Sequence, residues 1–386
     1  MTATRSLRRR TVRGRRRSRV ALVVIAVALV AGALATVAVV YEAEAAAPVA
    51  DPIAPASDET VTPTHTPVPT PPTAEERLLA TASDPRACAV SFAGEGIAIA
   101  PQLQTQGTLY AALPIPRVDG RVFAGWYASE GEAAARTIPS RVNGSRLVTC
   151  TDRRATLHAA WTTAAANQAE NARIPILMYH QFTTKPEGES NWLRLNYTYI
   201  GDFDAQMGHI QDGGFYLPTW DELDAFIDGA LFLPAHSVII SDDDADPTWI
   251  DLAAPVVARR GLLTTSFVIT SARSAPSPNP FVLQRSHTHD MHRAGANGKG
   301  RMVNEPVDVV AADLERSAQI LGAKEVVAYP YGHYNDTAKQ AMRQAGFALG
   351  RTTEHGYVRI GTDKLALPVI RVDYGMSVTA LARAIG

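Results

Sequence analysis

The chain has 386 residues, two cysteines and a formal net charge of −1, so it is too long for one ordinary domain and long enough for a sizeable core. The near-zero total hides an asymmetry: nine arginines and no acid lie between Arg5 and Arg19, leaving about −10 on the rest. A nucleic-acid enzyme spreads basic residues over its folded part, so this balance excludes nucleic acid as a partner.

Residues 20–41 are apolar or small and uncharged, long enough to cross a bilayer as a helix. Arginines before this segment, with Glu42 and Glu44 after it, make residues 1–19 a basic cytoplasmic tail and put the rest outside the cell. Ala43-Glu44-Ala45 also resembles a cleavage site, which would make the segment a signal peptide and the protein secreted. The length of the apolar run favours a retained transmembrane anchor. Residues 42–85, rich in Pro, Thr and Ala to Pro72, read as an extended stalk at about 3 Å per residue.

Residues 86–162 contain short strand-like runs punctuated by Gly and Pro, and both cysteines, Cys88 and Cys150. An oxidising compartment permits a disulfide between them. The runs at 107–111, 114–116, 120–127 and 156–161 resemble the internalin B-repeat, a small β-grasp-like module of bacterial surfaces. That resemblance implies a spacer or adhesion module without an active site. Read from its residues alone, the stretch is a small β domain with Trp126 and Trp161 as core.

Residues 164–172 are polar and Ala-rich, a joint or linker helix. The large domain, 173–386, opens with a buried strand at 173–180 that ends in His180. Phe203, Met207 and Ile210 recur at helical spacing before Gly213 and Gly214. Helices follow at 221–230, 249–260, 307–321 and 336–345, and strands at 238–244, 264–269, 325–328 and 348–352. This alternation argues for a parallel sheet covered by helices, an α/β barrel or open sheet. Residues 297–301 mix glycine with cations but lack the spacing of a phosphate loop and read as surface.

The run from Val238 to Ile240 suits a buried strand, yet it ends in Asp242, Asp243 and Asp244. Three acids there must be hydrated, paired or bound to a cation. Ser286-His287-Thr288-His289-Asp290-Met291-His292 holds three of the ten histidines, and the two stretches together propose a carboxylate and histidine metal site.

With Ile176-Leu177-Met178-Tyr179-His180 and Ala328-Tyr329-Pro330-Tyr331-Gly332, these stretches resemble, in order, polysaccharide deacetylases with the NodB homology domain, carbohydrate esterase family 4. Residues 367–372 resemble the tail of the branch acting on poly-N-acetylglucosamine. The resemblance covers residues 174–386 and implies a distorted (β/α) barrel. It also implies hydrolysis of acetamide groups on an N-acetylglucosamine polysaccharide or peptidoglycan with a divalent metal, zinc, releasing acetate. The family motif Thr-Phe-Asp-Asp-Gly fits in two registers. In the preferred one Asp243 is the base, Asp244 a metal ligand, and Ala245 stands for glycine. In the other, Asp242 is the base and Asp243 the ligand. The second motif, His-Ser/Thr-x-x-His, implies His287 and His292 as ligands, one residue further apart than the motif, with His289 in reserve. Two imidazoles and a carboxylate with open positions suit a catalytic zinc. The third motif implies that the backbone N–H of Tyr331 helps hold the oxyanion. Its arginine, which tunes the base in relatives, is replaced by Ala328, and the late Leu-x-His motif that supplies the general acid is not evident. Beyond His333, His355 is the only later histidine. His180 is either a strand-end residue or a substrate contact. These departures leave a second reading open, a catalytically inactive glycan-binding protein on the same fold.

Overall fold

The computed structural model describes residues 71–273 and 276–386. The basic tail, the apolar segment 20–41 and the stalk to residue 70 lie outside the described residues. Among the described residues no helix is long and apolar enough to cross a membrane.

The first described helix, α1 (Ala74–Ala80), lies where composition placed the end of the stalk. A capping box between Thr73 and Glu76 starts it, and Ser91 Oγ donates to Glu75 at 2.5 Å to fasten it to β1 (Ala87–Ala93). Strands β2 (Gln102–Thr105) and β3 (Val122–Tyr127), helix α2 (Glu130–Ala135), and strands β4 (Arg141–Val142) and β5 (Arg154–Thr162) complete a small module. Its five-stranded mixed sheet runs β2-β1-β5-β3-β4, with only the β1–β5 pair parallel. Trp126 is buried against Phe92 and Phe123, Trp161 packs on Phe123, and Cys88 and Cys150 form a disulfide.

Helix α3 (Ala164–Glu170) joins the module to β6 (Ile176–Tyr179), the first barrel strand. After β7 (Gln181–Thr183) and β8 (Tyr197–Tyr199), a two-stranded parallel pair, come α4 (Ile200–Asp212) and α5 (Trp220–Ile227). Helix α4 turns Phe203, Met207 and Ile210 inward, and α5 begins at a Thr219–Glu222 capping box. The order continues β9 (Ile239–Asp243), α6 (Ala254–Arg260), β10 (Thr264–Val268), β11 (Val282–Ser286), α7 (Val307–Leu321), β12 (Val326–Ala328), α8 (Asp336–Ala345), β13 (Leu349–His355), β14 (Leu367–Arg371) and α9 (Val378–Ile385).

Strands β10-β11-β12-β13-β14-β6-β9 close into a barrel, and every neighbouring pair is parallel. Parallel closure puts all seven carboxyl ends at one mouth, where loops gather and chemistry is built in barrels of this kind. The amino ends meet the small module. Phe123 N–H donates to Ala230 O and Phe232 N–H to Phe123 O, at 3.2 and 2.8 Å, tying β3 to the chain that enters β9. One apolar core runs from Val90, Phe92 and Trp126 of the module to Ile176, Phe267, Leu349 and Val369 inside the barrel. The module therefore floors the barrel at the end opposite the acidic strand terminus.

Candidate metal centre

Strand alternation separates the three aspartates. Asp242 pairs in register with Tyr179 and Ser266, and the Tyr179 hydroxyl donates to Gln206 of α4 at 2.8 Å, so this face points to the helical layer. Asp242 is fully buried there, and its Oδ1 has no hydrogen-bond partner. Burial, then the neighbouring Asp243 and Asp244, push its pKa well above the carboxylate range. It lies behind the strand and does not reach the mouth. Asp243 faces the barrel interior, and Asp244 sits on the turn that follows. Of the two registers, the structure brings together the residues of the first.

Asp244 Oδ1 lies 3.4 Å from His287 Nε2 and 3.3 Å from His292 Nε2. One donor atom from each of the three residues falls within 4.8 Å of the others. His287 follows β11 directly, and its Nδ1 is 2.9 Å from Ala328 O. That contact requires a proton on Nδ1 and leaves the Nε2 lone pair aimed at Asp244. Burial opposes charge on His287, but Asp244 and Asp243 outweigh it and raise its pKa; burial, then His287, lowers that of His292. Burial would raise Asp244, yet the two imidazoles hold it below the carboxylate range. Contacts of 3.3 to 3.4 Å are long for hydrogen bonds, and Asp244 Oδ1 is buried without a satisfying partner. Three lone pairs converging on one point, one of them orphaned, fit a divalent cation. His289 is not part of this set, because its Nδ1 is turned to Thr270 Oγ1 at 3.0 Å.

The arginine that Ala328 cannot supply is present from the adjacent strand. Ala328 pairs in register with Arg351 of β13, and the fully buried Arg351 guanidinium donates to Asp243 Oδ1. Its other contacts are Met178 Sδ, Thr352 O and the face of Phe267, at 3.2, 3.1 and 5.0 Å. Burial would raise Asp243; Arg351, then His287 and His180, reverse the sign and keep it ionised. His180 Nε2 stands 3.8 Å from Asp243 Oδ2, and burial lowers its pKa. Sequence reasoning missed Arg351 because its contact with Asp243 crosses the barrel interior between strands that do not pair and spans 108 residues of chain.

The Tyr331 ring lies 4.3 Å from that of His292 and is half exposed at the mouth. His333 is turned away, its Nδ1 accepting the Gly300 N–H at 2.9 Å, and His355 is exposed on β13. Asp244, Ala245, Thr288 and Tyr331 all have positive φ, at 72°, 46°, 71° and 58°. Such backbone costs about 1–3 kcal/mol per residue and clusters at functional sites. Four such residues on three loops of one mouth mark this as the strained end of the barrel.

No family model matches the chain. A poly-beta-1,6-N-acetyl-D-glucosamine N-deacetylase of Staphylococcus epidermidis is 29% identical over 160 residues, 36% of this chain and 55% of that protein. One of the same name from Staphylococcus aureus is 26% identical over the same shares. The chain thus spans about half the length of these relatives. YxkH of Bacillus subtilis, provisionally named a polysaccharide deacetylase, is 24% identical over 57% of this chain and 78% of its own. Among solved structures, Streptococcus pyogenes deacetylase PplD in complex with acetate matches 56% of this chain and 99% of its own, at 24% identity and a TM-score of 0.49. IcaB from Ammonifex degensii matches 55% and 97%, at 22% and 0.47. The chain is similar in sequence to polysaccharide deacetylases.

Proposed function

We propose that the protein is a hydrolase that removes acetyl groups from an N-acetylglucosamine-containing polysaccharide of the cell surface or cell wall. The observation that carries this reading is the pairing of two separate groups at one mouth: the converging donors of Asp244, His287 and His292, and beside them the buried carboxylate of Asp243 held by Arg351. The sequence similarity to polysaccharide deacetylases supports the substrate class.

In this reading Asp244, His287 and His292 hold a divalent metal, with zinc the best fit to two imidazoles and one carboxylate. Such a cation supplies Lewis acidity and makes water a better nucleophile near neutral pH. Asp243, kept ionised by Arg351, accepts a proton from the attacking water. A carbon–oxygen bond to the acetyl carbon forms, the carbon–nitrogen bond breaks, and acetate departs. His180, beside Asp243, would pass the proton that Asp243 takes from water on to the leaving amine. Tyr331 is expected to contribute its backbone N–H to the oxyanion. Residues 20–41 would anchor the chain as a single-pass span with its folded part outside the cell, and the small module, by its resemblance to surface repeats, would be a spacer or adhesion unit.

Release of acetate from N-acetylglucosamine oligomers and polymers by the full chain tests this. Turnover should be abolished by chelation and restored by zinc, and Asp244→Ala and His292→Ala should show none. Full activity in either variant refutes the ligand assignment. Glycan retention by the parent, without turnover at any metal load, would favour the binding-protein reading.

A further inference from the structure

The stretch that carries His292 is one residue longer than the motif it resembles, and the structure contains a device that takes up the extra residue. Strand β11 ends at Ser286, whose Oγ donates to Ser317 Oγ of α7 at 2.8 Å and accepts the Thr288 N–H at 3.0 Å. Thr288 then reverses the chain at positive φ, and its Oγ1 accepts the Met291 N–H at 3.2 Å. Between these points two successive amides meet one carboxylate. His289 N–H donates to Asp313 Oδ1 at 2.8 Å, and Asp290 N–H to Asp313 Oδ2 at 2.7 Å.

Asp313 and Ser317 are four residues apart and so share one face of α7, which grips the chain at two consecutive places. A carboxylate that accepts two N–H groups forms charge-assisted bonds and fixes the orientation of both peptide planes. The side chains of His289 and Asp290 go elsewhere. His289 reaches Thr270, while Asp290 pairs with Arg293 at 2.6 Å and Arg301 at 3.1 Å. What these two residues give the metal centre is their backbone.

We infer that Asp313 is a positioning residue of the metal centre. By holding the amides of His289 and Asp290 it folds the longer loop so that His292 meets Asp244 and His287, and it thereby sets how tightly the cation is held. This inference rests on the metal reading proposed above.

The test titrates zinc into the full chain against a chromophoric chelator, together with metal-free thermal melting and amide hydrogen exchange. Asp313→Ala should weaken zinc binding by about 10-fold or more, the scale of a lost outer-shell partner. Stoichiometry should stay the same, the metal-free melting curve should stay near the parent's, and exchange at residues 289 and 290 should be faster. Arg301→Ala, which removes an ion pair of the loop and leaves the amides held, should bind zinc as the parent does. Should Asp313→Ala fail to fold, Asp313→Asn keeps the volume and one acceptor, and a smaller loss is expected. Equal zinc affinity in the parent and the folded Asp313 variants overturns the inference and leaves the metal reading standing. A loss in Arg301→Ala as large as that in Asp313→Ala also overturns it, since the ion pairs would then hold the loop. A folded parent that takes up no zinc overturns the metal reading, and this inference with it.

Discussion

Ala328 and Arg351 lie opposite each other on β12 and β13, so a guanidinium absent from one strand enters the same space from the next. The pair it forms with Asp243 is buried on both sides. Buried pairs are poor stabilisers against an apolar replacement, but removing one partner strands a charge and costs about 3–5 kcal/mol. Arg351→Ala is therefore expected to lower the unfolding free energy by that amount in urea titrations and to abolish turnover. Arg351→Met combined with Asp243→Asn should recover most of the stability and none of the activity. A loss below about 1 kcal/mol in the single variant would contradict the view that Arg351 is what keeps Asp243 charged in the barrel. His289 makes the complementary point: sequence proximity to His287 and His292 made it a reserve ligand, and a turn at Thr288 points it at Thr270 instead.

At the scale of elements, the strongly patterned segments were legible. The helix expected over 307–321 is α7, and the one over 336–345 is α8. Apolar runs marked β6, β9, β10 and β12, because strands buried on both faces leave no polar alternation to misread. Strand β11 was not expected, since Gln284 and Arg285 break its apolar run; it is held by parallel pairing with β10 and by an Arg285–Glu325 ion pair at 2.6 Å. Helix α1 was hidden by the stalk-like composition before it, although Thr73 and Glu76 carry the spacing of a capping box. Expectation and structure agree on the disulfide, which closes a separation of 62 residues in the small module. Chain entropy gives such a loop about 4 kcal/mol. Reduction, or Cys88→Ala with Cys150→Ala, should lower the melting temperature of the whole folded part, and an unchanged melt would count against it.

At the scale of the molecule, the small module and the barrel share one core. The fully buried Arg141 of the module reaches across to Glu222 at 3.1 Å and to Phe232 O at 2.7 Å, and Asn143 donates to the other Glu222 oxygen at 2.6 Å. A detachable spacer needs no such junction, since linked domains usually meet through smaller and more polar surfaces. A fragment of residues 164–386 would expose Ile174, Ile176, Leu349 and Val369 at the barrel floor. It is expected to lose near-ultraviolet dichroism and bind hydrophobic dye, whereas residues 71–386 should fold cooperatively. A soluble, sharply melting fragment 164–386 would overturn that view. The module is the floor of the barrel.

The sequence by itself determined the alternation of strands and helices, the acidic strand end, the histidine cluster and the cysteine pair. Those features are local, and local pattern carries the physics of burial and chain direction. It also carried the departures: alanine for arginine at 328, alanine for glycine at 245, and a longer histidine spacing. Only the tertiary structure decided what the departures mean. Strand register turned Asp242 to the helices and Asp243 to the interior, barrel closure brought Arg351 to Asp243, and α7 folded the longer loop. Each depends on residues far apart in the chain coming within a few ångströms, and no local pattern encodes that.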